Sequence, residues 1–120
     1  MTNRAVAWTE IPVTDIEKSV AFYNDVFGFD ATIDTSGPNP MAMFGSDGNA
    51  IGGHLYPGKP ATDSGHTIHL YVPDALETTM KRCEAAGGKI VSPIITIPSG
   101  RFAYAKDLDG NSLGLFEAAK

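Results

Sequence analysis

Residues 100–117 read GRFAYAKDLDGNSLGLFE. On each side of Asp109-Gly110 the chain alternates in the period-two manner of a strand. An Asp-Gly pair tolerates the positive φ angles of a tight hairpin turn, so 101–106 is expected to pair with 112–117. The same turn occurs earlier: Asp47-Gly48-Asn49 precedes Asp109-Gly110-Asn111 by 62 residues. Working outward, Val13 and Asp15 recur as Val72 and Asp74, 59 residues on. Ile16, Val20 and Tyr23 recur as Leu76, Met80 and Cys83 at an offset of 60, and Gly28 as Gly88 at the same offset. An offset that grows in small steps at turns is what loop insertions in a duplicated unit produce.

Each half then reads strand, helix, strand, hairpin. In the first, a strand over 4–13 leads to Thr14 and Glu17 at capping-box spacing. Apolar positions 16, 20, 23 and 27 share a helical face, and Gly28 supplies a left-handed stop. A strand near 29–33, a loop at 36–40 and a hairpin of 41–46 with 50–56 follow. The Pro- and Gly-rich stretch 56–65 reads as a linker. The second half predicts a strand at 66–72, a helix at 75–86, a strand at 89–96 and the hairpin already described. The fold class is therefore α+β: one domain over 1–120, with two tandem βαβββ modules at 4–56 and 66–117. A pseudo-twofold would relate them, and their curled sheets would enclose a cavity.

Alternation assigns faces. Ile68, Leu70 and Val72 should pack on the helix, leaving Thr67, His69 and Tyr71 towards the cavity. By the repeat, Thr9, Ile11 and Val13 pack inward, and Trp8, Glu10 and Pro12 face the cavity. Gly52, His54 and Tyr56 join that cavity set in the first module, as Ser112, Gly114 and Phe116 do in the second.

Bulk composition excludes several partners. Net charge is −5 and no run of Lys or Arg exceeds two residues, so neither nucleic acid nor an anionic membrane is a suitable partner. No apolar stretch approaches 18 residues and no charged-then-apolar leader is present, so neither a membrane span nor a signal peptide is expected. The single Cys83 cannot form an internal disulfide, which suits a reducing cytoplasm. With 13 glycines and 8 prolines the chain is too turn-rich for a helical bundle.

The two-module order, the Phe22-Tyr23 pair ahead of Phe27-Gly28-Phe29, and the closing string with its Asp107-x-Asp109-Gly110-Asn111 turn resemble the glyoxalase/bleomycin-resistance/extradiol dioxygenase (vicinal oxygen chelate) superfamily. The resemblance spans nearly the whole chain and is nearest to short bacterial proteins related to lactoylglutathione lyase. It implies a shared cavity and, in metal-dependent members, four ligands from the first and last strands of the modules. Those positions fall here on Trp8, Gly52, Thr67 and Gly114, none of which is a His, Glu, Asp or Cys. The arginine with which glyoxalases hold glutathione corresponds to Pro12, which argues against glutathione-dependent glyoxalase activity. No metal and no cofactor is therefore expected at the inherited site.

One register step away, Glu10, His54 and His69 share the cavity face, the elements of a shifted two-histidine, one-carboxylate metal site. The same residues also suit a metal-free lyase- or isomerase-like enzyme on a small carbonyl compound. There His69 would be the acid/base and Glu10, its repeat equivalent, would orient it. A third reading is a binding protein that sequesters an aromatic or antibiotic-like small molecule. Trp8, Tyr56, Tyr71 and Phe116 would supply the apolar lining, His54 a polar group, and Arg101 an anchor for an anion where it does not form a surface ion pair instead. Superfamily members often form dimers by joining sheet edges or exchanging modules, and the 56–65 linker is long enough for either, so a homodimer is an open expectation.

Overall fold

The computed structural model describes residues 8–44, 52–62 and 64–120. The first half contains β1 (Thr9–Val13), α1 (Ile16–Phe27), β2 (Ile33–Asp34), β3 (Met41–Met43) and β4 (Gly53–Pro57). The second contains β5 (Ile68–Tyr71), α2 (Leu76–Ala85), β6 (Lys89–Ile90), β7 (Ile95–Ile97), β8 (Gly100–Lys106) and β9 (Ser112–Ala118). The architecture is mixed α+β, with one helix packed on each of two sheets. The sheet orders are β1-β4-β3-β2 and β5-β9-β8-β6, with β7 also on β8. First and last strands pair in parallel in both sheets, and the hairpin strands pair antiparallel. The Asp47-Gly48-Asn49 turn and residues 4–7 lie outside the described residues.

Local chemistry accounts for the element ends. Asp15, not Thr14, caps α1: its Oδ1 accepts the Lys18 N–H at 3.2 Å. Thr14 is drawn away because its amide and hydroxyl both donate to Asp109, at 3.2 and 2.5 Å. Gly28 ends α1 at φ 72°, as the spacing predicts. In the second half the left-handed residue is Gly87, at φ 102°. Gly88 serves packing instead, since a Cβ there would meet Cys83 Sγ at 2.7 Å and the Lys106 carbonyl at 2.8 Å. The strand expected over 89–96 is split. Pro93 has no N–H for the ladder, and Ser92 Oγ accepts the Tyr104 amide at 2.8 Å in its place. Between Phe29 and Ile33 only Ile33 is paired, and β2 runs on to Asp34.

The core lies between the helices and the inner faces of the sheets. Ile11, Val13, Leu55, Leu113 and Leu115 are fully buried, and Ile68, Leu70 and Val72 pack against them. The faces read from alternation are therefore the faces formed. Phe29 and Phe44 stack at 4.9 Å and continue into Tyr23 and Phe27.

A buried polar network fastens the halves together. The Tyr23 hydroxyl on α1 donates to Asp107 Oδ2 at 2.7 Å. Asp107 also accepts the amides of Asp109 and Asn111, both at 2.9 Å, which forms the β8–β9 turn. Asn111 Nδ2 donates to Asp107 and, at 2.8 Å, to the Pro12 carbonyl at the end of β1. Burial, then the negative Asp107, raises the Tyr23 pKa well above its ordinary value, so the phenol stays a donor. The Asp109-Gly110 turn is thus also a joint between the first and second halves of the chain.

Candidate ligand-binding cleft

Both β1 and β5 are edge strands of their sheets. Between them runs a cleft of about 1000 Å³, lined also by Asn111, Ser112, Lys59 and His66. The bond from Asn111 to Pro12 sets the start of β9 beside the end of β1. β5 runs parallel to β9, and Thr67 Oγ1 meets Ser112 Oγ at 2.5 Å, so β5 starts where β1 ends. At the opposite end Pro73, just past β5, lies against Gly28 at the C-terminus of α1. That helix folds back along β1, so the two edges run in opposite senses. Trp8, at the head of β1, and Tyr71, at the tail of β5, consequently share one end of the cleft.

Trp8 and Tyr71 both line the cleft and are 64% and 72% exposed. Such large aromatic surfaces left in water are uncommon unless something covers them. Glu10 also lines the cleft, and its Oε1 lies 3.2 Å from His54 Nε2. The register of β1 on β4 makes this pair, setting Glu10 opposite His54. His54 is 12% exposed at its side chain and Glu10 61%, so the carboxylate faces water with the imidazole behind it. Tyr56 stands edge-on to His54, their ring centroids 6.3 Å apart, on the same face but outside the cleft wall. Phe116 likewise stands edge-on behind Tyr71, at 5.5 Å.

His69 lines the cleft with different neighbours. Its ring lies over Gly114, where a Cβ would collide with it, and edge-on to Phe102 and Tyr104 at 5.1 and 5.8 Å. The direct Glu10–His69 contact expected from the repeat is therefore not the one made: Glu10 contacts His54 and His69 an aromatic cluster.

Arg101 lies away from the cleft and is fully engaged. Its guanidinium donates to Glu77 at 2.7 and 2.8 Å and to Glu117 at 2.9 and 3.1 Å. The sequence expectation of an anion anchor missed these two acids, which alternation along separate elements does not bring together. Hydrogen bonds from Arg101, then from the Leu76 amide, hold the Glu117 carboxyl down at about 2. In the same pairing the Arg101 pKa is raised.

The metal positions implied by the resemblance do not fit a metal ion. Thr67 is bonded to Ser112, Gly114 is covered by His69, and Trp8 offers no donor. His69 pairs with Gly114 as Glu10 pairs with His54, so the strand registers make His54, not Gly52, the counterpart of Gly114. That supplies one imidazole. Among the described residues no three His, Cys, Asp or Glu side chains converge as a metal would require.

The profile of the Glyoxalase/Bleomycin resistance protein/Dioxygenase superfamily matches residues 5–115. A glyoxylase-like domain-containing protein of Didymella fabae is 28% identical over 114 residues, covering 89% of this chain and 88% of its own. Two mycobacterial relatives are longer, and the chain spans 43% of each. Among solved structures, a glyoxalase/bleomycin resistance protein from Albidiferax ferrireducens superposes with a TM-score of 0.75 at 19% identity, over 97% of this chain and 100% of that one. TnmS3, an antibiotic binding protein from Streptomyces, superposes at 0.67 with 25% identity, over 99% of each chain. By sequence profile, strand order and superposition together, the chain belongs to the glyoxalase/bleomycin resistance/dioxygenase superfamily.

Proposed function

We propose that this protein binds a flat aromatic small molecule in the cleft between β1 and β5, without using a metal ion. The observation that carries the reading is the pair Trp8 and Tyr71, both largely exposed and both lining one cleft. A planar ligand covering them removes apolar area from water and gains ring stacking. The likeness to an antibiotic binding protein supports sequestration of an antibiotic-like compound. Trp8 is the only tryptophan, so ligand entry is read directly as a change in its emission. Trp8→Leu should weaken binding by about 1–2 kcal/mol while leaving the fold intact, since the indole is exposed. Tight binding in calorimetry with constant Trp8 emission would place the ligand elsewhere and refute the reading.

The Glu10–His54 contact favours a second reading, a metal-free lyase- or isomerase-like enzyme. In it Glu10 and His69, on facing edges of the cleft, move a proton on a small carbonyl compound. His69→Gln should then cut turnover by about 100-fold with folding unchanged. Full activity in both His69→Gln and Glu10→Gln rejects this reading and leaves binding alone.

The same proposal takes the chain as one domain of two modules, 4–56 and 66–117, supported by their common strand order. It also takes the assembly as a homodimer. Met41 and Met43 on β3 and Tyr104 on β8 are exposed on the free faces of the sheets, which a second copy would cover. A reducing cytoplasm suits the buried, unpaired Cys83, whose thiol burial pushes up to about 11.

A further inference from the structure

The two ends of the cleft differ in chemistry. At one, Trp8 and Tyr71 are joined by Phe29 and Phe44, which also line it. Phe44 is set there by its N–H, which donates at 2.9 Å to the carbonyl of Gly53, the residue opposite Thr9 at the head of β1. The other end is polar. The Gly58 amide donates to the Val13 carbonyl at 3.0 Å, which brings Lys59 to the tail of β1. His66 stands just ahead of Thr67, where β5 begins, and both Lys59 and His66 line the cleft. Neither has an ionic or hydrogen-bonding partner among the described residues. Both side chains are exposed and solvated, and an anion entering the cleft would meet the Lys59 ammonium and an imidazole donor.

Among the described residues the nearby acids already have partners. Asp107 accepts from Tyr23, Asp109 and Asn111, and Asp109 accepts from Thr14; neither carboxylate lines the cleft. Glu10 lies towards the middle of β1, two residues from Pro12, and contacts His54. The net charge of −5 repels anions at long range, but at physiological salt that field is screened beyond about 8 Å. Within the cleft the Lys59 ammonium acts at close range.

Resting on the aromatic-binding reading and sharpening it, we propose that the ligand is an aromatic carboxylate, or carries a comparable anion, lying along the cleft. Its ring system covers Trp8 and Tyr71, and its anion meets Lys59 and His66. Trp8 to Pro12 spans roughly 13 Å of strand, which suits about three linearly fused rings with the anion at one tip.

The test uses the full chain and two fluorescent probes of one shape, anthracene-2-carboxylate and anthracene-2-carboxamide. The carboxylate should bind at least about tenfold more tightly, the scale of one charge-assisted hydrogen bond. Lys59→Met should remove that preference by weakening the carboxylate far more than the carboxamide, and added salt should weaken the carboxylate more than the carboxamide. Lys59 is exposed, and circular dichroism of the variant verifies its fold. Equal affinity for the two probes overturns the anionic end and leaves the aromatic reading standing. A preference that survives Lys59→Met also overturns it. Binding of neither probe overturns both.

Discussion

At the scale of single residues, Gly114 and His69 show how one missing side chain shapes the cleft wall. The imidazole occupies the space a Cβ at 114 would need, and Phe102 and Tyr104 close around it. His69 is exposed, so Gly114→Ala should displace its ring at a cost of about 1 kcal/mol, the low end for overpacking. Pairing it with His69→Ala should return part of that loss, because the two changes share one space; urea titration of the four-member cycle measures the coupling. Strict additivity would mean that His69 swings aside freely and the wall is not rigid. Glu10, by contrast, owes its partner to strand register alone, since a parallel β1–β4 pair sets it opposite His54.

At the scale of elements, α2 depends on a residue from another strand. Its N-cap, Ala75, has no side chain to accept a hydrogen bond, and Glu117 Oε1 takes the Leu76 amide at 2.8 Å instead. Arg101 holds that carboxylate in place and bridges to Glu77 in the first turn of the helix. The Glu117 pKa falls on folding from an ordinary 4.5 to about 2, so its contribution to stability is present above about 4.5 and is lost as pH drops towards 2. Glu77 and Asp74, also lowered by arginine partners, act in the same direction. Glu117→Gln should thus be less stable than the parent at pH 7 and lose less on acidification, read as urea midpoints between pH 7 and 3. Parallel curves for parent and variant would show that the Arg101 cluster does not contribute to α2.

At the scale of the whole molecule, the halves are joined by the Tyr23–Asp107–Asn111–Pro12 chain and by helix packing, while both edge strands stay open to the cleft. The helices cover only one face of each sheet, and the other exposes Met43 and Tyr104. Burying those faces in a second copy removes apolar area from water, the dominant favourable term in association. Sedimentation should accordingly give about twice the 12.7 kDa chain mass at micromolar concentration. Met43→Glu combined with Tyr104→Glu should return the monomer, because charges at a buried core of an interface are costly. A monomer in the parent at all concentrations would leave these faces for ligand alone.

The sequence by itself determined the α+β class, the order of elements and the inward and outward faces of the strands. Those features follow from local periodicity and turn chemistry: alternation at 68–72, the helical spacing of Ile16 to Phe27, the Asp-Gly turn at 109. Parity also sends Trp8, Glu10, His69 and Tyr71 to one side, but Thr9, Ile11, Ile68 and Leu70 line the cleft as well, because it runs along the strand edges. Partnership was decided by the tertiary structure. Which carboxylate meets which imidazole depends on strand register, and register joins residues 44 apart in Glu10 and His54. For Arg101 the sequence offered an anion anchor or an ion pair, and the ion pair forms because Glu77 and Glu117 converge on it when α2 packs across β9. The polar and aromatic ends of the cleft exist only because β1 and β5 pass in opposite senses, a relation set by contacts between the halves and carried by no local pattern.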